Sequence, residues 1–334
     1  MAVNKMFISA LKKQDIDKAL SLIITPGYNV NSTAYKDCTP LILSTKLGLV
    51  KVVKQLLSLG ADVNWQDKNG RSALTHACIS GNVEIIREII KAGCSVNRAT
   101  TFGDKPIHEA VVNGRVDAIE ELLKAGVDIN STNTITRQTA LQLAVLAEQK
   151  EVVDFLIQKN VLLDIPTFEG ETALHYAVQI NDFRIVKSLI DAGASIHKKN
   201  HIGETPYLLA VQEGKINNVK TLILAGCKMY SSSYPSPLSL SCKNFNPTMV
   251  RYLLSEGYNA SEDKSFRQHI YITMEERQPD LLDYVYYRCS NPCSLKEICR
   301  VKIRRLLNNS MELIVPQLSL PKTLKEWVLM DVIC

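Results

Sequence analysis

Seven glycines constrain this chain more than any other feature. Gly27, Gly60, Gly93, Gly126, Gly193, Gly226 and Gly257 each follow an aliphatic-rich segment. The first three intervals are 33 residues, Gly126 to Gly193 spans 67 (33 plus 34), and the last interval is 31. Asn160 stands at the position the long interval skips. Asparagine tolerates the left-handed backbone that glycine usually supplies. The extra residue falls between Ser131 and Gln138. Self-similarity at such a period marks stacked helical units that share their cores with their neighbours.

A second marker keeps the same register. Thr39-Pro40-Leu41, Ser72-Ala73-Leu74, Lys105-Pro106-Ile107, Thr139-Ala140-Leu141, Thr172-Ala173-Leu174 and Thr205-Pro206-Tyr207 each open an apolar helical pattern. Thr or Ser suits a helix N-cap, and Pro suits the first turn, where no N–H is needed. Each unit then reads as a short helix, a Gly or polar break, and a second helix. In the second unit these are Leu41 to Leu47, Gly48, and Val50 to Leu59. Val52, Val53, Leu56 and Leu57 give the second helix one apolar face. Gly60 stops it, and Ala61-Asp62-Val63-Asn64 leads into a polar hairpin ending at Gly70.

Gly60-Ala61-Asp62-Val63-Asn64 followed by Asn69-Gly70-Arg71-Ser72-Ala73-Leu74 resembles the ankyrin repeat. The pattern T-P-L-H-x-A reappears as Lys105-Pro106-Ile107-His108-Glu109-Ala110 and Thr172-Ala173-Leu174-His175-Tyr176-Ala177. The resemblance covers roughly residues 5 to 260. It implies an all-α solenoid of about eight helix-turn-helix units with hairpin fingers. The first unit is read as Ala10 to Asn31 and serves as a cap. The eighth is read as Tyr234 to Ala260, opening at Ser231-Ser232-Ser233 and Pro235. His76, His108 and His175 are read as structural, because a catalytic group would occur once and not recur with the repeat.

After Ala260 the period stops. Residues 261–290 read as a helical segment covering the open end of the stack, with Leu281, Leu282, Tyr284 and Val285 apolar. From Pro292 a new pattern begins. Ser294 and Glu297 form a capping box for an amphipathic helix. Leu295, Cys299 and Ile303 are spaced four apart on it, and Leu306 extends the stripe. Leu318-Ser319-Leu320-Pro321 then precedes a short helix with Leu324, Trp327 and Val328.

Residues 291–334 resemble a SOCS box, and the whole chain is similar to the ankyrin-repeat and SOCS-box protein family. The domains are therefore expected as 1–260, 261–290 and 291–334. The resemblance implies a non-catalytic substrate receptor of a ubiquitin ligase. Leu295, Cys299, Ile303 and Leu306 would bind elongin C, which pairs with elongin B. Leu318, Leu320, Pro321, Leu324 and Trp327 would meet cullin-5 and its RING-box protein, with Ser319 departing from the usual Pro. The alternative is an ankyrin scaffold that recruits no ligase.

The unknown protein target is expected on the fingers and first helices. Trp65 stands where the repeat usually carries Ala, with Arg98, Ile165 and Lys198 equivalent to it, while Phe102 and Phe168 lie near finger tips. Large aromatic and Arg side chains are frequent binding anchors, although finger-to-finger packing would use them equally well. Composition points the same way. Net charge is only +5, and the basic residues are dispersed, so nucleic acid is not the expected partner. No apolar run reaches a membrane span, and Met1 to Met6 lack a signal peptide's apolar stretch. The nine cysteines are scattered without metal-site spacing. Reduced thiols fit a cytoplasmic protein, with the nucleus open as well. Phosphate-loop, GxSxG and HExxH motifs are absent, so neither enzyme chemistry nor a cofactor is expected.

Overall fold

The computed structural model describes residues 2–33, 38–180, 182–229 and 236–258, together with Asp263, Asp280, Tyr284 and Val285. These residues form sixteen helices in eight pairs. The chain divides into two units, the first ending at Phe168 and the second starting at Glu169.

The first unit holds α1 (Ala2–Lys12), α2 (Ile16–Ile23), α3 (Pro40–Lys46), α4 (Val50–Ser58), α5 (Ala73–Ser80), α6 (Val83–Lys91), α7 (Pro106–Val112), α8 (Val116–Lys124), α9 (Ala140–Leu146) and α10 (Lys150–Gln158). First helices pack in one row, α3 on α5, α5 on α7 and α7 on α9. Second helices pack in another, α4 on α6, α6 on α8 and α8 on α10. The second unit repeats this with α11 (Ala173–Gln179), α12 (Phe183–Asp191), α13 (Pro206–Gln212), α14 (Ile216–Leu224), α15 (Pro237–Lys243) and α16 (Pro247–Ser255). There α11 packs on α13, α13 on α15, and α12 on α14.

The openers act as their residue types dictate. Thr39, Ser72, Thr139 and Thr205 accept a hydrogen bond through the side-chain oxygen from the N–H three residues on, at 3.2–3.4 Å. The breaks also obey the backbone rule. Gly60, Gly93 and Gly126 have φ of +77°, +80° and +85°, and Asn160, in the glycine's place, has +57°.

Burial contributes more than these caps do. From α4 onward each second helix hides the same three positions, such as Val52, Val53 and Leu56, or Ile85, Ile86 and Ile89. Fully burying one such aliphatic chain contributes about 1.5–3 kcal/mol, so these triads dominate each interface. In α14 the first of the three is Asn218, which is buried. Its amide donates to the Val178 carbonyl at 2.9 Å and the Ile180 carbonyl at 3.2 Å. Those carbonyls need a donor because Ile180 leaves α11 with extended backbone instead of a left-handed turn.

Polar groups couple neighbours too. Asn31, Asn64 and Asn130 each accept, at 2.8 Å, a backbone N–H of the following unit, from Asp62, Ser95 and Leu162. The fingers are built on side chains that mimic a turn. Thr100, Asn133 and Asn200 accept backbone N–H groups two to four residues ahead.

Two boundaries differ from the sequence reading. The first unit begins at Ala2, not Ala10, because Phe7, Ala10 and Leu11 bury a helix that lacks the usual opener. The eighth opens at Ser236-Pro237-Leu238, where Ser236 caps α15 just as Thr39 caps α3. Beyond α16, Asp263 accepts the hydroxyls of Ser236 and Tyr258, Arg251 lies 4.7 Å from the Tyr284 ring, and Val285 is buried.

Gly103 and Gly126 have nearly the same φ but different surroundings. A Cβ on Gly103 would sit 2.8 Å from Ile135 Cγ1 and 2.9 Å from Ile135 N, whereas one on Gly126 would meet nothing within 4 Å. Gly126→Ala should therefore cost about 1–2 kcal/mol from backbone strain alone. Gly103→Ala should cost clearly more, and the order of the two urea midpoints checks this.

Candidate functional site

In the first unit the fingers and the first helices form one continuous face. Lys46, on α3, lies 3.4 Å from finger residue Asp67, and Arg71, on that finger, lies 2.9 Å from Glu109 of α7. The first helices end with Leu47, Val112 and Leu146, all exposed. Phe102, Ile135 and Phe168 stand at the finger tips, 61%, 56% and 58% exposed. Neighbouring fingers are joined through their backbones, Thr101 N–H to Asn69 O and Thr134 N–H to Gly103 O, each at 3.0 Å.

The six residues singled out for target binding fall into two groups. Trp65, Arg98, Phe102 and Phe168 are exposed in the first unit. Arg98 donates to Gln66 Oε1 at 2.7 Å, and the Arg137 guanidinium lies 5.4 Å from the Phe168 ring centroid. Ile165 is half-buried, its carbonyl accepting the Gln142 amide at 2.7 Å. Lys198 is half-buried and belongs to the second unit. Sequence reasoning missed Ile135 and Ile202, both exposed fingertip aliphatics. Measuring along each finger from its opening residue, Asn133 or Asn200, finds them at the position of Phe102.

The buried histidines work as polar spacers. His108 Nδ1 accepts the Lys105 N–H at 3.2 Å, so Nε2 carries the proton and donates to the Ser131 carbonyl at 3.1 Å. Gln142, at the equivalent position, makes the same two bonds. Its Oε1 accepts the Thr139 N–H at 2.8 Å and its Nε2 donates to Ile165 O. His175 Nδ1 accepts the Thr172 N–H at 3.1 Å. An amide that cannot titrate replaces the imidazole, so the position asks for an acceptor and a donor, not a base. Burial keeps His108 below the usual histidine range.

His76 corrects the sequence reading, because it lies one residue out of register with the other two. Thr75 holds the shared position and closes a capping box with Ser72. His76 Nε2 instead donates to Asp67 Oδ2 at 2.9 Å. Burial pushes His76 down to about 4 against the opposing pull of Asp67. Burial raises Asp67, but hydrogen bonds from His76 and the Arg71 and Asn69 N–H groups outweigh it and hold the carboxylate low. The pair is therefore neutral imidazole on carboxylate. Among the described residues no cluster of His, Cys, Asp and Glu is arranged to hold a metal, and no helix is long and apolar enough to cross a membrane.

A two-row helical stack with an exposed finger face has the form of a protein-recognition module. The family model for ankyrin repeats matches in three copies, at residues 6–100, 41–133 and 107–200, and the SOCS-box model matches residues 291–329. The chain belongs to the ankyrin-repeat and SOCS-box proteins. The fold resembles the crystal structure of the human ASB11 ankyrin repeat domain, at 24% identity over 61% of this chain and 91% of that one, with a TM-score of 0.55. It also resembles the ankyrin repeat domain of Bcl-3, a member of the IkappaB family, at 23% identity over 61% and 93%, with a TM-score of 0.56. At such identities the likeness concerns the fold. A SOCS box joined to ankyrin repeats is the architecture of a cullin–RING ligase substrate receptor, an adaptor and not a catalytic domain. Leu295, Cys299, Ile303, Leu306, Leu318, Leu320, Pro321, Leu324 and Trp327 all lie outside the described residues.

Two outcomes follow from the histidines. His108→Gln should stay within about 1 kcal/mol of wild type in urea denaturation, while His108→Ala, which orphans two buried groups, should lose about 2 kcal/mol or more. The folded-state value of His76 lies below its unfolded value of about 6.5, so the unfolded chain binds the extra proton. Its contribution is complete above about pH 6.5 and is lost as pH falls toward 4, by up to about 3 kcal/mol. His76→Gln should flatten stability between those pH values, and parallel slopes for the two proteins would contradict it.

Proposed function

We propose that this chain is the substrate receptor of an elongin B/C–cullin-5–RING ubiquitin ligase. It would hold a target protein on its ankyrin fingers and promote its ubiquitination and proteasomal degradation. The observation that carries this is the SOCS-box match at 291–329, following the ankyrin matches that end at residue 200. The domain boundaries proposed are 1–260, 261–290 and 291–334. Contacts of Asp263 and Tyr284 with the last helix pair, together with the burial of Val285, support a capping role for the middle segment.

The residue roles follow from chemistry. On the proposed elongin-binding helix, Leu295 is the apolar anchor, and Cys299 is small enough for a partner to approach the stripe continued by Ile303 and Leu306. Leu318, Leu320, Pro321, Leu324 and Trp327 would face the cullin, where Ser319 removes one proline contact. Ubiquitin transfer is done by the recruited conjugating enzyme. The receptor contributes proximity, by raising the effective concentration of a target lysine. These steps require a compartment that contains the ligase subunits, and the cytoplasm is the proposed one.

Affinity purification of the full chain should retain elongin C. Leu295→Ala with Cys299→Phe should lose it, since truncating one such anchor typically costs about 2 kcal/mol, roughly thirtyfold in affinity. No elongin C with the intact chain would leave only an ankyrin scaffold, and equal recovery from both forms would remove Leu295 and Cys299 from the contact.

A further inference from the structure

The two long faces of the first unit treat their positive charges differently. Along the second helices, cations meet acids of the adjoining repeat. Lys54 pairs with Glu84 at 2.7 Å, Arg87 with Glu121 at 2.9 Å, and Lys159 with Glu120 at 3.7 Å. On the fingers, Lys68, Arg98 and Arg137 are exposed. Among the described residues none of these three pairs with a carboxylate. Asp62 and Asp128, at the finger bases, are exposed and accept the Asn64 and Asn130 N–H groups at 2.8 and 2.9 Å, while the acids nearer the tips are turned inward. Asp67 is buried under His76 and Lys46, and Asp104 accepts the Asn133 amide at 3.0 Å. Interleaved with the cations are the exposed rings and aliphatics of Phe102, Ile135 and Phe168.

We propose that the fingers of the first unit take an extended acidic segment of the target, in which carboxylates are mixed with aliphatic or aromatic side chains. Along the joined fingers Lys68 is followed by Phe102, then by Ile135 with Arg137, and then by Phe168, so the complementary ligand mixes acidic and apolar groups as well. Arg137 fits a dual role, because its guanidinium lies over Phe168 and leaves N–H donors for a carboxylate. Leu47, Val112 and Leu146, at the ends of the first helices, are further exposed apolar groups of the same unit. The proposal rests on the receptor reading above and names the chemistry of its target.

The test is selection of a random dodecapeptide phage library on the immobilised full chain. The enriched pool should be net acidic and rich in aliphatic and aromatic residues. The leading peptide, made synthetically and followed by fluorescence anisotropy, should bind at least about fivefold more weakly when salt rises from about 50 to 300 mM. The triple variant K68E/R98E/R137E, with unchanged circular dichroism, should lose about tenfold or more in affinity for it. Phe102→Ala with Ile135→Ala should weaken the same peptide with its salt dependence intact. No enrichment over a blank surface, a neutral or basic pool, affinity unmoved by the triple variant, or tighter binding of a single-stranded oligonucleotide would each overturn the proposal. Elongin C recovery from the same preparations separates the two ideas. An unselective pool with elongin C retained removes the surface proposal alone. An acidic pool without elongin C removes the ligase reading alone.

Discussion

No helix pair among the described residues completes its own interior. The buried triad of a second helix, such as Ile85, Ile86 and Ile89, is sealed by the neighbouring pairs. Backbone donors and acceptors are shared in the same way. Ser95 gives its N–H to Asn64, Gln66 reaches the Ala99 carbonyl, and Arg115 reaches the Ile79 carbonyl at 3.2 Å. Stability is therefore a property of interfaces between repeats, and each repeat is folded only in company. This dependence also decides where function can reside. The interfaces occupy the helix flanks and loop bases, so the finger tips and the ends of the first helices remain available without cost to the core.

The histidine positions show how sharply the two kinds of residue separate. His108 and Gln142 perform one task with different chemistry, because all that is required is an acceptor toward the helix start and a donor toward the neighbouring loop. Nothing about this task needs a proton to move. A receptor whose buried histidines serve its structure fits an adaptor that leaves catalysis to its partners.

Much of this fold was legible from spacing, because a left-handed turn every 33 residues leaves few residue choices. The period located the helix pairs and correctly placed Asn160 as a glycine substitute. It failed where the local requirement is met by other means. The first pair lacks a Thr or Ser opener, so spacing does not mark its start. His76 falls in a helix start yet is offset by one residue, a difference that spacing alone blurs but hydrogen bonding makes plain. Asn218 breaks the apolar pattern because it caps carbonyls left bare by Ile180. On the finger face, Phe102 and Phe168 stand out as aromatics, while Ile135 and Ile202 read as ordinary aliphatics until their exposure is known. The SOCS-box residues were legible as a pattern of apolar anchors and prolines, which a family match supports over 291–329.

The third finger of the first unit carries its additional residue between Asn133 and Gln138, with Arg137 held at φ +56° where the other fingers place glycine. The Asn133 N–H still finds the Gln138 carbonyl, at 2.8 Å, and the helix pair beyond buries the same triad as its neighbours. Length changes at a tip are thus absorbed before they reach the stack. Duplication or excision of a whole period preserves the recurring shared bonds for a different reason, since those junctions are rebuilt in kind. A lineage of such proteins has two independent routes to new targets: lengthening one loop for a new contour, or recombining entire repeats for a longer or shorter platform.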